Sequence, residues 1–168
     1  MSRTMDTLLL LALPASGKSE LRRYLAHLEP EIAEQDLHLG PVVALDDYPY
    51  VHLMRRISEE LDHMGEPTVF FPARDRAFSD PWDWGTLIHL INEDYATLGT
   101  ALPRPDSAAV WLFDRIDRAR EKVGITPAMR TLAPNVRARL VKALEDEAAS
   151  LWTDLSWTCS SWTEGATV

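Results

Sequence analysis

Residues 7–25 read TLLLLALPASGKSELRRYL, and two interpretations compete for them. An apolar run followed by the small residues Ala12 and Ala15, with Arg3 as a positive start, matches the end of a secretory leader. The same run followed by Gly17-Lys18-Ser19 matches a buried strand that turns into a helix around a bound phosphate. Against the leader, Asp6 neutralises the positive start, and the apolar run is short beside the about 7–15 residues of such segments.

The phosphate reading accounts for more of the residues. Ala12-Leu13-Pro14-Ala15-Ser16-Gly17-Lys18-Ser19 follows the pattern G-x-x-x-x-G-K-[ST], with Ala12 in place of the first glycine. Residues 7–11 form the short continuous apolar run that a central parallel strand requires. Leu21, Tyr24, Leu25 and Leu28 then recur at helical spacing, with Arg22 and Arg23 on the other face. Backbone N–H groups of a loop entering a helix point at an anion, and the helix dipole adds positive potential there. The binding set is therefore Ala12, Pro14, Ala15, Ser16, Gly17, Lys18, Ser19 and Glu20. Lys18 reaches the β- and γ-phosphates of ATP, the Ser19 hydroxyl ligates Mg²⁺, and Gly17 lets the backbone approach. A strand, turn and helix carrying a chance Gly-Lys-Ser is the plain alternative.

A second apolar run, residues 41–45, reads as a buried strand that Pro49 stops. Asp46 and Asp47 then sit at its carboxyl end, where ligands bind in open parallel sheets. Neighbouring strand residues point to opposite faces, so one of the two faces the γ-phosphate, as a proton acceptor or a holder of a Mg²⁺-bound water. A surface turn ending in two aspartates is the alternative. Beyond this point the pattern is helical. Gly65 closes a helix begun near Val51, and residues 66–71 are a short strand or a pinned loop. Ser79 or Asp80 caps a helix whose first turn holds Pro81 and which Gly99 ends. Residues 108–123 and 134–157 complete the series, the latter as one helix or two. Arg74, Arg76 and Arg104 are candidate phosphate clamps, while Arg115, Arg118 and Arg120 alternate with acids as on a solvated face.

The 168 residues, 46% hydrophobic, suit a single domain. A net charge of −9 argues against nucleic acid or an anionic membrane as partner, since phosphate backbones reward surplus Lys and Arg. No apolar run approaches the roughly 20 residues that span a bilayer. Cys159 is the sole cysteine, so no intrachain disulfide forms and a reducing, cytoplasmic compartment is expected. The five histidines are scattered and lack metal-site spacing.

The phosphate loop, Asp46-Asp47-Tyr48 after the second run, and Phe78-Ser79-Asp80-Pro81-Trp82-Asp83-Trp84 together resemble P-loop kinases of the uridine kinase and phosphoribulokinase type. The resemblance covers about the first hundred residues. It implies a P-loop α/β fold, a parallel sheet flanked by helices, with a helix-rich second half. It also implies transfer of the ATP γ-phosphoryl group to a hydroxyl of a small metabolite, with Mg²⁺ and a strand-end aspartate, Asp47 or Asp46, as base beside Lys18. Residues 100–160 depart from that pattern, and no acidic strand partner to the phosphate loop is evident. Residues 165–168 read as a turn opening a further strand, which points to a chain cut short before that strand's carboxylate; a frayed, disordered tail is the equal alternative. A nucleotide-binding module without transfer activity is the alternative function.

Overall fold

Proline and glycine set most of the helix limits. In a computed structural model, which describes residues 4–8, 10, 17–162 and 166–168, the helices are α1 (Lys18–Ala26), α2 (Pro30–Leu37), α3 (Tyr48–His63), α4 (Asp83–Thr97), α5 (Ala108–Lys122) and α6 (Pro134–Ser161). Proline stands in the first turn of α2, α3 and α6, where its missing N–H has no intrahelical use. Gly65 and Gly124, at φ 75° and 83°, take the left-handed turn just past α3 and α5.

The α5 start is held from outside. Ser107 Oγ accepts from the Val110 N–H, and Glu145 of α6 accepts from the Ser107 hydroxyl and the Ala108 and Ala109 N–H groups. One carboxylate thus satisfies donors that a helix start leaves open. Burial pushes the Glu145 carboxyl up, but those bonds outweigh it and hold it below its ordinary value.

The core lies among the last four helices: α4 packs on α5, α5 on α6, α3 on α6, and α4 also touches α6. Met54, Ile57 and Leu61 of α3 meet Leu90 of α4, Leu112 and Ile116 of α5, and Leu140 and Leu144 of α6. Each such side chain contributes about 1.5–3 kcal/mol on leaving water. Residues 66–71 are the pinned loop: Ser58 Oγ accepts from the Phe70 and Phe71 N–H groups, seating both rings in the core.

The expected α/β architecture is overturned. Among the described residues there are helices and no strand or sheet. Among the described residues the pairing is limited to isolated parallel bridges, Met5 to Leu39 and Val42 to Thr167, the second of them in the run 41–45; residues 9 and 11 of the first run lie outside the described residues. Residues 166–168 lie between the other two segments: Val43 N–H donates to the Thr167 carbonyl, and Leu8 N–H to that of Val168. The reason is where the apolar surface goes. The large buried side chains belong to α3–α6 and their loops, which bury one another without a sheet. The backbone bonds among the described residues of these segments make isolated bridges and no continuous ladder.

No helix among the described residues is long and apolar enough to cross a membrane. The helix at residues 134–157 is one, not two, and reaches Ser161.

Candidate functional site

Of α1, no described residue is buried, and its apolar Leu21 and Tyr24 stay exposed. Of the phosphate-loop pattern, Gly17, Lys18, Ser19 and Glu20 lie within the described residues, at the start of this helix. Gly17 precedes it at φ 87°, ψ 9°, a left-handed conformation that an L side chain adopts only with strain. No side chain caps the first turn. Ala12, Pro14, Ala15 and Ser16 lie outside the described residues.

A cavity of about 780 Å³ opens between α1, residues 42–47 and α4. Lys18, Ser19 and Arg22 border it from α1, and Asp46 and Asp47, just before α3, border it beside them. Leu8, Val43, Ile88 and Ile91 make its apolar part. Lys18, Ser19, Asp46 and Asp47, almost thirty residues apart in sequence, are therefore brought to one space. Glu20 is not among the lining residues; its carboxylate meets Arg23 at 3.4 Å on the exposed side.

The aspartates are not at a strand end. Asp47 is the N-cap of α3, and Asp46 precedes it in a short turn in which Asp46 Oδ1 accepts from the Tyr48 N–H at 3.2 Å. Asp46 Oδ2 takes the Arg22 Nη1 donor at 2.5 Å. The two carboxyls are pulled apart. Burial would raise Asp46, but the Tyr48 N–H and Arg22 lower it below its ordinary value. Burial raises Asp47, the neighbouring Asp46 carboxylate raises it further, and Lys18 opposes both.

The Ser19 hydroxyl and the Asp46 and Asp47 carboxylates, oxygen donors of the kind Mg²⁺ takes, all line this cavity, with both Asp46 oxygens already engaged by Arg22 and the Tyr48 N–H. Among the described residues, no three His, Cys, Asp or Glu side chains gather as a metal cluster by themselves.

Of the candidate phosphate clamps Arg74, Arg76 and Arg104, none is among the residues lining this cavity. Arg74 projects into solvent, 90% exposed. Arg115 and Arg120, expected on a solvated face, are buried: Arg115 meets Asp94 at 2.5 Å and donates to the Tyr50 hydroxyl, and Arg120 Nη1 lies 2.6 Å from both oxygens of Asp83. Asp83, part of the kinase-like segment, is thus engaged inside the body, while Phe78 stacks on Phe71 with centroids 4.4 Å apart. Arg22 is the site residue the sequence reading missed. Its signal was available, because it follows Lys18 by four residues and so shares its helix face.

No protein-family model matches the chain, no curated protein matches it, and no solved structure matches its fold.

Proposed function

We propose that the chain binds a nucleoside triphosphate, ATP, at the N-terminus of α1 and transfers its γ-phosphoryl group to a hydroxyl of a small molecule. The observation that carries this reading is the meeting of Lys18 and Ser19 with Asp46 and Asp47 in one cavity. It concerns this local site and reaction class alone. Lys18 and the first-turn N–H groups of α1 bind the phosphates, and Gly17 gives them close backbone approach. Ser19 orients the ion, and Mg²⁺, when bound, supplies charge neutralisation on the phosphate oxygens. Asp47, with its raised proton affinity, accepts the proton of the attacking hydroxyl while Asp46 stays ionised, its carboxylate accepting from the Tyr48 N–H. The lone cysteine and the acidic charge fit a cytoplasmic protein with no nucleic-acid or membrane partner, which cell fractionation tests.

The test has two parts. MgATP is titrated calorimetrically into the wild type and Lys18→Ala, and equal affinities would end the reading. Phosphoryl transfer to a panel of nucleosides, sugars and other alcohols is then followed for the wild type and Asp47→Asn. A loss of about 10²–10⁴-fold in turnover with ATP binding retained supports the base. Tight binding without transfer to any acceptor replaces the kinase with a nucleotide-binding module.

A further inference from the structure

We infer that Arg22 is a second phosphate-binding cation of this site and that Asp46 competes with phosphate for its guanidinium. The inference rests on the nucleotide reading above and extends it to a residue that the phosphate-loop pattern does not contain.

Lys18 and Arg22 stand one helical turn apart on α1 and both border the cavity. A guanidinium carries five N–H donors in a planar fork that matches two phosphate oxygens at once. Arg22 uses Nη1 on Asp46 Oδ2, at 2.5 Å, and its side chain remains 38% exposed. That is unlike the arginines that hold the body together. Arg115 is 3% exposed and spreads its donors over Glu93, Asp94, the Tyr50 hydroxyl and the Leu90 carbonyl. A half-exposed pair of single donor and acceptor holds weakly against solvent, so a doubly charged phosphate displaces the carboxylate readily. Asp46 is not stranded by the exchange, because Oδ1 still accepts from the Tyr48 N–H. The next cation along, Arg23, pairs with Glu20. Lys18 and Arg22 are thus the cations of this wall whose charge is not taken up by a neighbour on α1, and both meet the carboxylates Asp46 and Asp47 in the cavity.

The carboxylate and the phosphate have opposite effects on one guanidinium, and this sets the test. MgATP is titrated into the full-length wild type, Arg22→Gln, Arg22→Lys, Asp46→Asn, Asp47→Asn, the Arg22→Gln/Asp46→Asn double variant and Lys18→Ala, each checked for fold by circular dichroism. Arg22→Gln is expected to weaken binding about tenfold, with Arg22→Lys between it and the wild type. Asp46→Asn is expected to tighten binding about three- to tenfold, more than Asp47→Asn, although each removes one negative charge. In the Arg22→Gln background the Asp46→Asn gain should disappear, which through-space charge alone would not produce. A wild-type affinity for Arg22→Gln, or an Asp46→Asn gain that survives in the double variant, overturns the inference. If Lys18→Ala weakens binding while Arg22→Gln does not, the inference falls and the nucleotide reading stands. If no form binds MgATP, both fall.

Discussion

Arg115, in the middle of α5, and Arg22, on α1, each meet an aspartate at 2.5 Å, yet their surroundings have little in common. Arg115 is sealed between α3, α4 and its own helix, with the Trp111 ring 4.7 Å from its guanidinium carbon. Arg22 lies open to a cavity with one carboxylate partner. The first arrangement fixes a fold, since each of the three guanidinium nitrogens has an internal acceptor. The second leaves a cation available to something from outside. Charge pairing by itself does not separate structure from function here; the number of partners and the access to solvent do.

The widest gap should appear when each arginine is removed. Arg115→Met leaves the Asp94 carboxylate buried with only the Tyr50 hydroxyl, and breaking such a pair from one side costs about 3–5 kcal/mol of stability. Urea denaturation measures it, and a loss under about 1 kcal/mol would remove the contrast. The deficit should also depend on pH. Burial already raises the Asp94 carboxyl, and Arg115 opposes that rise. Without Arg115 its proton affinity climbs further. A carboxyl raised on folding stabilises below its unfolded value, and that stability is lost as pH rises through the folded value. The variant should therefore be closest to the wild type near pH 4 and furthest from it at neutral pH.

Lys18→Ala should show the reverse profile. Folding stability should change by less than about 0.5 kcal/mol, as for a surface position, while MgATP affinity falls by about 1.5–3 kcal/mol. Thermal denaturation and calorimetry on the same sample separate the two, and a large stability loss would place Lys18 with the structural cations.

Glu145→Ala probes the body again at a smaller scale. Loss of the carboxylate that caps α5 should cost about 1–2 kcal/mol. The Glu145 carboxyl is lowered in the fold, so its contribution is present above its unfolded value and lost as pH falls through the folded one. The wild-type advantage should therefore shrink on acidification, the same direction as the Arg115 deficit, although here it is the wild-type carboxyl that is lowered and there the variant's that is raised.

What the sequence disclosed follows the same division. The limits of α5 and α6 were legible because Gly124 and Pro134 act locally, and the α3 helix because Gly65 does. The cavity residues Lys18, Ser19, Asp46 and Asp47 were legible as types in a spacing. The sheet was not: residues 7–11 and 41–45 have strand-like composition, but periodicity says nothing about whether an extended run finds a partner along its length. Nor were the buried charges. Arg115 and Arg120 alternate with acids as solvated residues do, and only contacts with α4, such as Asp94 and Asp83, mark them as interior. Glu145 reaches its partners across 37 residues, which no local rule describes.

The smallest expected effect is the sharpest check on the comparison. Arg22→Gln removes an ion pair of the same length as the Arg115–Asp94 contact, yet its stability cost should be about 0.2–1 kcal/mol. The pair is a third or more exposed on both sides, so water and salt replace most of what the contact supplies. Its pH dependence has a fixed sign. The Asp46 carboxyl is lowered, mainly by the Tyr48 N–H and Arg22 against the opposing pull of burial. Its contribution is thus present above its unfolded value and lost as pH falls through the folded value. Chemical denaturation at neutral pH and again near pH 3, each in low and high salt, measures the difference between wild type and variant. It should shrink with acid and with salt, whereas the Arg115→Met deficit should shrink with acid but barely respond to salt. An Arg22→Gln cost near that of Arg115→Met would mean that the α1 edge is held as firmly as the body, and that Arg22 is not available to a ligand.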